Sequence, residues 1–256
     1  MVSLIDASHV RRMIRMSSAV SDVCAHAPLP AREGRVLVLL ARTAERHPAG
    51  AALLRAAAGT VLGVPAEEVL VDREPSGRPV LGGAARGLHA SVSHVPGLSA
   101  VAIGSRGPVG VDVERLRAVP AAALARRWFG AREAGWLAGR PEAEQPLQFL
   151  RMWTQKEAIG KVLGTGLADG GLLRPVRLGA PAGTVLGPVP GSPPFYIALP
   201  PAPEGFVLAV AGGPQAAGAR LEVLTLPPPA ARPDHGAACP SRSAESWAAR
   251  TSGSEA

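Results

Sequence analysis

Cysteine is nearly absent: the 256-residue chain has only Cys24 and Cys239, both in its outer stretches. Spaced like that they form neither a metal-ligand nor a redox pattern. No disulfide framework is expected, and a reducing cytoplasm fits. Aromatic residues make up 4% of the chain, too few for the stacking platforms that bind single-stranded nucleic acid. No apolar run reaches the ~18 residues of a membrane span, and Arg11, Arg12 and Arg15 are not followed by a continuous apolar stretch, which argues against a signal peptide. Lysine is the scarcest charge. Of 27 Lys plus Arg, only Lys156 and Lys161 are lysines, and they stand in one segment, where a compact ammonium differs from a planar guanidinium fork.

What is present bounds the rest. Hydrophobic residues at 47% suffice for a sizeable core, while 30 Gly and 26 Pro imply many loops. A net charge of +7 with a pI near 10.8 favours an anionic partner, whether a nucleotide, an acidic protein or nucleic acid. Residues 1–30 read as a flexible N-terminal extension, and residues 227–256, rich in Pro, Ala, Ser and Arg, as a disordered tail. Between them, a succession of helix then strands occurs twice. This points to two similar α+β halves meeting near residue 107.

Individual elements follow from periodicity and punctuation. Apolar, β-type runs predict strands at Val36–Ala41, Glu68–Asp72, Leu88–His94 and Ser99–Gly104, with 88–114 forming an antiparallel meander. Leu88, Ala90 and Val92 would share one face of their strand, and His89, Ser91 and Ser93 the other. Helices are predicted at Ala51–Leu62, Ala121–Phe129, Ala131–Leu137 and Gln145–Leu163, the last ended by Gly164 and Gly166. Strands at Val176–Leu178, Phe195–Leu199, Phe206–Ala211 and Leu221–Leu226 complete the reading.

Two short runs carry the chemistry. In Val109-Gly110-Val111-Asp112-Val113-Glu114 the three valines share one strand face, and Asp112 and Glu114 share the other, about 7 Å apart. At an effective dielectric of ~20 their repulsion costs about 2 kcal/mol. A divalent cation would relieve it, and an all-oxygen pair suits Mg²⁺ or Mn²⁺ better than zinc. In Trp153–Lys161 the helical period aligns Trp153, Glu157 and Lys161 on one face, adding a third carboxylate and a cation. Asp112, Glu114 and Glu157 are therefore the candidate metal ligands. Glu133, after Trp128-Phe129, reads either as a helix-start acid or as a member of the site.

Together these runs resemble the large, surfactin-synthetase-activating type of the 4′-phosphopantetheinyl transferase superfamily. That family's G-[VI]-D-[VI]-E strand is matched by Gly110–Glu114, and its W-[ST]-x-K-E-A-x-x-K helix by Trp153–Lys161. Upstream, Gly77-Arg78-Pro79 matches a G-[KR]-P turn, Ser93-His94 matches a strand ending in Ser-His, and Trp128–Glu133 matches an aromatic-Phe-x-x-x-Glu segment. The chain departs from the family at Ser91, where Asn is usual, and in the few basic residues before its first helix. There Arg46 is the available substitute for a contact to the 3′-phosphate of coenzyme A.

The resemblance implies a pseudo-twofold α+β fold of two similar lobes, 31–107 and 108–226, with antiparallel-rich sheets packed against helices and the coenzyme between the lobes. It implies Mg²⁺-dependent transfer of 4′-phosphopantetheine from coenzyme A to a serine of an apo acyl or peptidyl carrier protein. Glu157, Lys161 and Asp112 become the catalytic residues, and Arg46, Arg78, Ser93, His94 and Lys161 the coenzyme A contacts. A cytoplasmic monomer is expected, with neither nucleic acid nor membrane as partner. Two other readings use the same residues. A metal-dependent nuclease or phosphohydrolase would need the acids and a lysine, but usually on adjacent strands. A non-catalytic Arg-rich binding protein leaves the paired acids unexplained.

Overall fold

The computed structural model describes residues 34–43, 50–191 and 194–226. The expected N-terminal extension, the C-terminal tail, both cysteines and Arg46 lie outside the described residues. Strand β1 (Arg35–Arg42) is apolar on both faces, with Val36, Val38 and Leu40 entering one core and Leu37, Leu39 and Ala41 another. Such a strand must be central and covered twice.

It is. Strands β2 (Val69–Arg73), β3 (Pro79–Gly83), β4 (His89–Val95), β5 (Leu98–Gly104) and β10 (Arg220–Leu226) join β1 in a sheet of order β10-β1-β5-β4-β3-β2. Every pairing in this sheet is antiparallel except β1 with β10. Helix α1 (Gly50–Leu62) covers one face with Leu53, Leu54, Ala57 and Ala58. A second sheet, β6 (Val109–Arg115), β9 (Phe206–Gly212), β8 (Tyr196–Ala198) and β7 (Gly187–Pro188) in that order, covers the other.

The inter-sheet core sets Val36, Val38, Leu98 and Ala100 against Val111, Val113, Leu208 and Val210. Each buried valine or leucine there contributes about 1.5–3 kcal/mol. The outer face of the second sheet, through Val207, Ala209 and Ala211, meets α2 (Ala121–Trp128), α3 (Ala131–Ala138) and α4 (Gln145–Leu163). The order is thus helix, sheet, sheet, helices, an α+β architecture with helices packed on antiparallel-rich sheets.

Three expectations change. The 88–114 meander stops at its first hairpin. β4 and β5 do pair, but β6 pairs with β9 in the other sheet. Its valines face the first sheet instead of extending its edge, because that buries them in the inter-sheet core. Leu221–Leu226, assigned to the second lobe by the division at 107/108, hydrogen-bonds along β1 in the first sheet. Val176–Leu178 is no strand; side chains of α3 and α4 take the backbone N–H groups a ladder would use, Glu133 that of Val176 and Gln155 that of Arg177.

Helix α4 crosses β6 at very short range. A Cβ at Gly110 would collide with the carbonyl oxygen of Ala158. Gly110 is thereby the residue that lets the helix lie on the strand, and it brings α4 onto the face that carries Asp112 and Glu114.

Candidate active site

β6 is an edge strand, and its free edge is satisfied by side chains from two other elements. The Ser91 hydroxyl of β4 accepts from Val111 N (3.1 Å), and the Ser93 hydroxyl accepts from Val113 N (3.2 Å). From α4, the Lys161 ammonium donates to Val111 O (2.9 Å). These bonds join the two sheets across β6 and hold the acidic strand in register with the helix.

Asp112 is 6% exposed. Its Oδ1 accepts from Ser93 Oγ (2.8 Å) and from Lys161 Nζ (2.8 Å), while its buried Oδ2 has no hydrogen-bond partner among the described residues. Burial pushes its carboxyl up from the ordinary carboxylate range, despite the opposing pull of Lys161 and Ser93. Glu157, half-buried one turn before Lys161, is pushed up as well, first by burial and then by repulsion from Asp112 and Glu114, with Lys161 opposing. The three acids therefore share one field. Glu114 has a second partner, Arg117, at 2.8 Å.

Beside them opens a cleft of about 270 Å³, lined by Arg78, Pro79 and Ser91 from the first sheet and by Glu157, Gly160 and Lys161 from α4. Arg78 reaches across it. Its guanidinium donates to Lys161 O (3.0 Å) and Val162 O (2.7 Å), the last carbonyls of α4, where a cation is favoured by the helix dipole.

Among the described residues, no three Asp, Glu, His or Cys side chains already form a group placed to hold a metal ion. Lys161 takes one oxygen of Asp112 and Arg117 one of Glu114. The donor chemistry nonetheless fits a hard cation. The orphaned, buried Asp112 Oδ2 has no donor among the described residues, and burial, with neighbouring carboxylates, raises the proton affinity of Asp112 and Glu157.

The residues named from sequence thus separate. Asp112, Glu114, Glu157 and Lys161 gather at β6 and α4, and Arg78 lines the same cleft. Ser93, expected on the coenzyme, donates to Asp112 Oδ1 and accepts from Val113 N. His94 is exposed at the end of β4. Trp153 packs against Phe149 and Trp128, with ring centroids 6.2 and 5.8 Å away. Ser91 and Gly160 were missed as cleft residues. Ser91's place on the same strand face as Ser93 was the available signal.

The other lysine is sealed. Lys156 is 0% exposed and donates to Glu133 Oε2 (2.6 Å) and Arg174 O, above the Phe129 ring at 4.6 Å. Burial lowers its pKa; Glu133 opposes that. Glu133 is thus an ion-pair partner in the helical layer, away from the cleft.

Residues 108–181, which contain β6, the three helices of the second sheet and the turn after α4, match the 4′-phosphopantetheinyl transferase superfamily. Three curated relatives agree. HetI, a 4′-phosphopantetheinyl transferase of Nostoc sp., is 37% identical over 126 residues, 48% of this chain and 53% of that one. The transferase psf-1 of Bacillus pumilus is 31% identical over 127 residues, 50% and 53% of the two chains. The transferase gsp of Aneurinibacillus migulanus is 30% identical over 126 residues, 49% and 51%. The matched part spans about half the length of these relatives. The acidic strand and its lysine-bearing helix both lie inside the region that matches the 4′-phosphopantetheinyl transferase superfamily.

Proposed function

We propose that the protein transfers 4′-phosphopantetheine from coenzyme A to a serine of an apo acyl or peptidyl carrier protein, releasing adenosine 3′,5′-bisphosphate, as a transferase of the surfactin-synthetase-activating type. The observation that carries this reading is the placing of Glu157 and Lys161 on the wall of a cleft between the first sheet and α4, in the field of Asp112 and Glu114. Neither a nuclease nor a non-catalytic binding protein is supported by the relatives, all of which are named as transferases.

Asp112, Glu114 and Glu157 would hold Mg²⁺, or Mn²⁺ in its place, which supplies charge neutralisation for a diphosphate. The remaining steps belong to the chain. Glu157, its carboxylate made a better proton acceptor by burial and by its acidic neighbours, accepts the proton of the attacking serine, directly or through a water it positions. As the serine oxygen bonds to the β-phosphorus, the bond from that phosphorus to the bridging oxygen breaks. The leaving bisphosphate carries the electron pair away. Lys161, already directed at the site by Val111 O and Asp112, offsets charge on the diphosphate. Arg78 stands on the opposite wall, toward the adenosine end. Arg46 and His94 complete the proposed coenzyme contacts.

A net charge of +7 suits a carrier protein that presents an acidic helix. Among the described residues no helix is long and apolar enough to cross a membrane. The test is intact-mass measurement of several purified apo carrier proteins after incubation with this protein, coenzyme A and Mg²⁺. A gain of one phosphopantetheine on at least one carrier is expected. No gain on any carrier, with coenzyme A intact, would overturn the proposal.

A further inference from the structure

The turn after α4 forms one wall of the cleft, through Gly164 and Gly166. It is bracketed by two arginines. Arg78 from the first sheet caps the last carbonyls of α4 on one side. On the other, Arg174 donates to Gly166 O (2.8 Å), Thr165 Oγ1 (3.1 Å) and Ala168 O (3.2 Å). The turn lies directly on the helix, because a Cβ at Gly160 would collide with the carbonyl of Gly166. Its own amides are bonded inward, Thr165 N and Gly166 N to Gly160 O and Gly171 N to Ala168 O.

Arg174 is itself anchored from within the protein. Its carbonyl accepts from the fully buried Lys156, whose other partner is Glu133 of α3. Glu133 also accepts from Val176 N (3.2 Å), and Gln155 accepts from Arg177 N (3.0 Å). The irregular segment carrying Arg174 is thereby tied to α3 and α4 at successive points. A surface ion pair would be screened and mobile, but this one is sealed, so its geometry is set by packing.

We propose that Glu133, Lys156 and Arg174 form a strut that fixes the Gly164–Gly171 turn and, through it, the cleft wall that receives the diphosphate-bearing substrate. These are positioning residues; none of the three lines the cleft. The strut stands on the geometry alone, and its effect on coenzyme A rests on the transferase reading above.

The test compares the full chain with Arg174→Ala, which cuts the strut at the turn, and with the double variant Glu133→Gln/Lys156→Met. The double variant removes both buried charges, keeps side-chain volume and leaves an acceptor for Val176 N. Hydrogen–deuterium exchange is read by mass spectrometry without ligand, with peptides of α1 and β5 as the control for global folding. Both variants should exchange the 164–171 amides about tenfold faster, with the control peptides unchanged. Coenzyme A, titrated calorimetrically with Mg²⁺, should bind about tenfold more weakly to Arg174→Ala. Unchanged exchange at 164–171 in Arg174→Ala would overturn the strut. Unchanged exchange there in the double variant would overturn the role of the buried pair. Faster exchange with undiminished coenzyme A affinity would overturn its role in shaping the cleft. If the unaltered protein binds no coenzyme A, the transferase reading fails, while the exchange data still decide the strut.

Discussion

Helix α4 carries two lysine–carboxylate pairs, and their surroundings differ. Lys156 and Glu133 are sealed, with side chains 0% and 7% exposed, and neither keeps a buried side-chain nitrogen or oxygen without a partner. Lys161 and Asp112 meet at the edge of an open cleft, with 27% and 9% exposure, and Asp112 keeps one oxygen without a partner. The same two charges, five residues apart on one helix, thus form a sealed pair in one place and an open pair in the other. The difference lies in what is left unsatisfied. A closed pair has no capacity for a ligand, whereas an open pair with a spare carboxylate oxygen has.

Substitutions can break this contrast. The largest effect is expected for Glu157→Gln, which removes the proposed proton acceptor. Transfer should fall about 10²–10⁴-fold while the far-ultraviolet spectrum is retained, and near-normal turnover would take Glu157 out of the mechanism. Lys156→Ala should cost about 3–5 kcal/mol in denaturant unfolding, because Glu133 is left buried without its cation. A cost near zero would show that the sealed pair is not structural. Lys161→Ala should lower transfer about 10²–10³-fold, a larger loss than its effect on folding. If Lys156→Ala and Lys161→Ala behaved alike in both assays, the contrast would not hold.

Two smaller effects sharpen it. Ser93→Ala leaves Val113 N and Asp112 Oδ1 short of a partner, and should destabilise by about 1–3 kcal/mol. Ser93→Thr should cost less than Ser93→Ala, by urea titration. The last concerns pH. Burial and neighbouring acids raise the folded-state pKa of Glu157 above its unfolded value, so the folded protein binds the proton more tightly. Stability therefore falls as pH rises from the unfolded to the folded value, and the cost persists above it. Without divalent cation, Glu157→Gln should melt higher than the unaltered protein at neutral pH. That gain should fade as pH drops to the ordinary glutamate range. A gain that grew toward acid would contradict the assignment.

Much of the site was legible in the linear pattern. Alternation in Val109–Glu114 put the acids on one face and the valines on the other, and the structure keeps that division. The helical period from Trp153 to Lys161 brought Glu157 and Lys161 to the same cleft wall. Illegible were the partners. Nothing local to Ser93 says that its hydroxyl turns to β6, and nothing local to Arg78 says that its guanidinium caps a helix more than eighty residues away. The clustering of the only two lysines pointed to α4 but could not tell the strut from the site.

The sequence by itself determined which faces are apolar, where the acidic strand and its helix begin and end, and which charged residues those two elements carry. These follow from side-chain period and from Gly and Pro punctuation, which act within a few residues. Only the tertiary structure decided that β6 leaves the first sheet, that β10 returns to it, and that one lysine is sealed while the other is open. Those outcomes depend on which buried surfaces fit best across distant segments, and desolvation and unsatisfied polar groups arise only once the chain is packed.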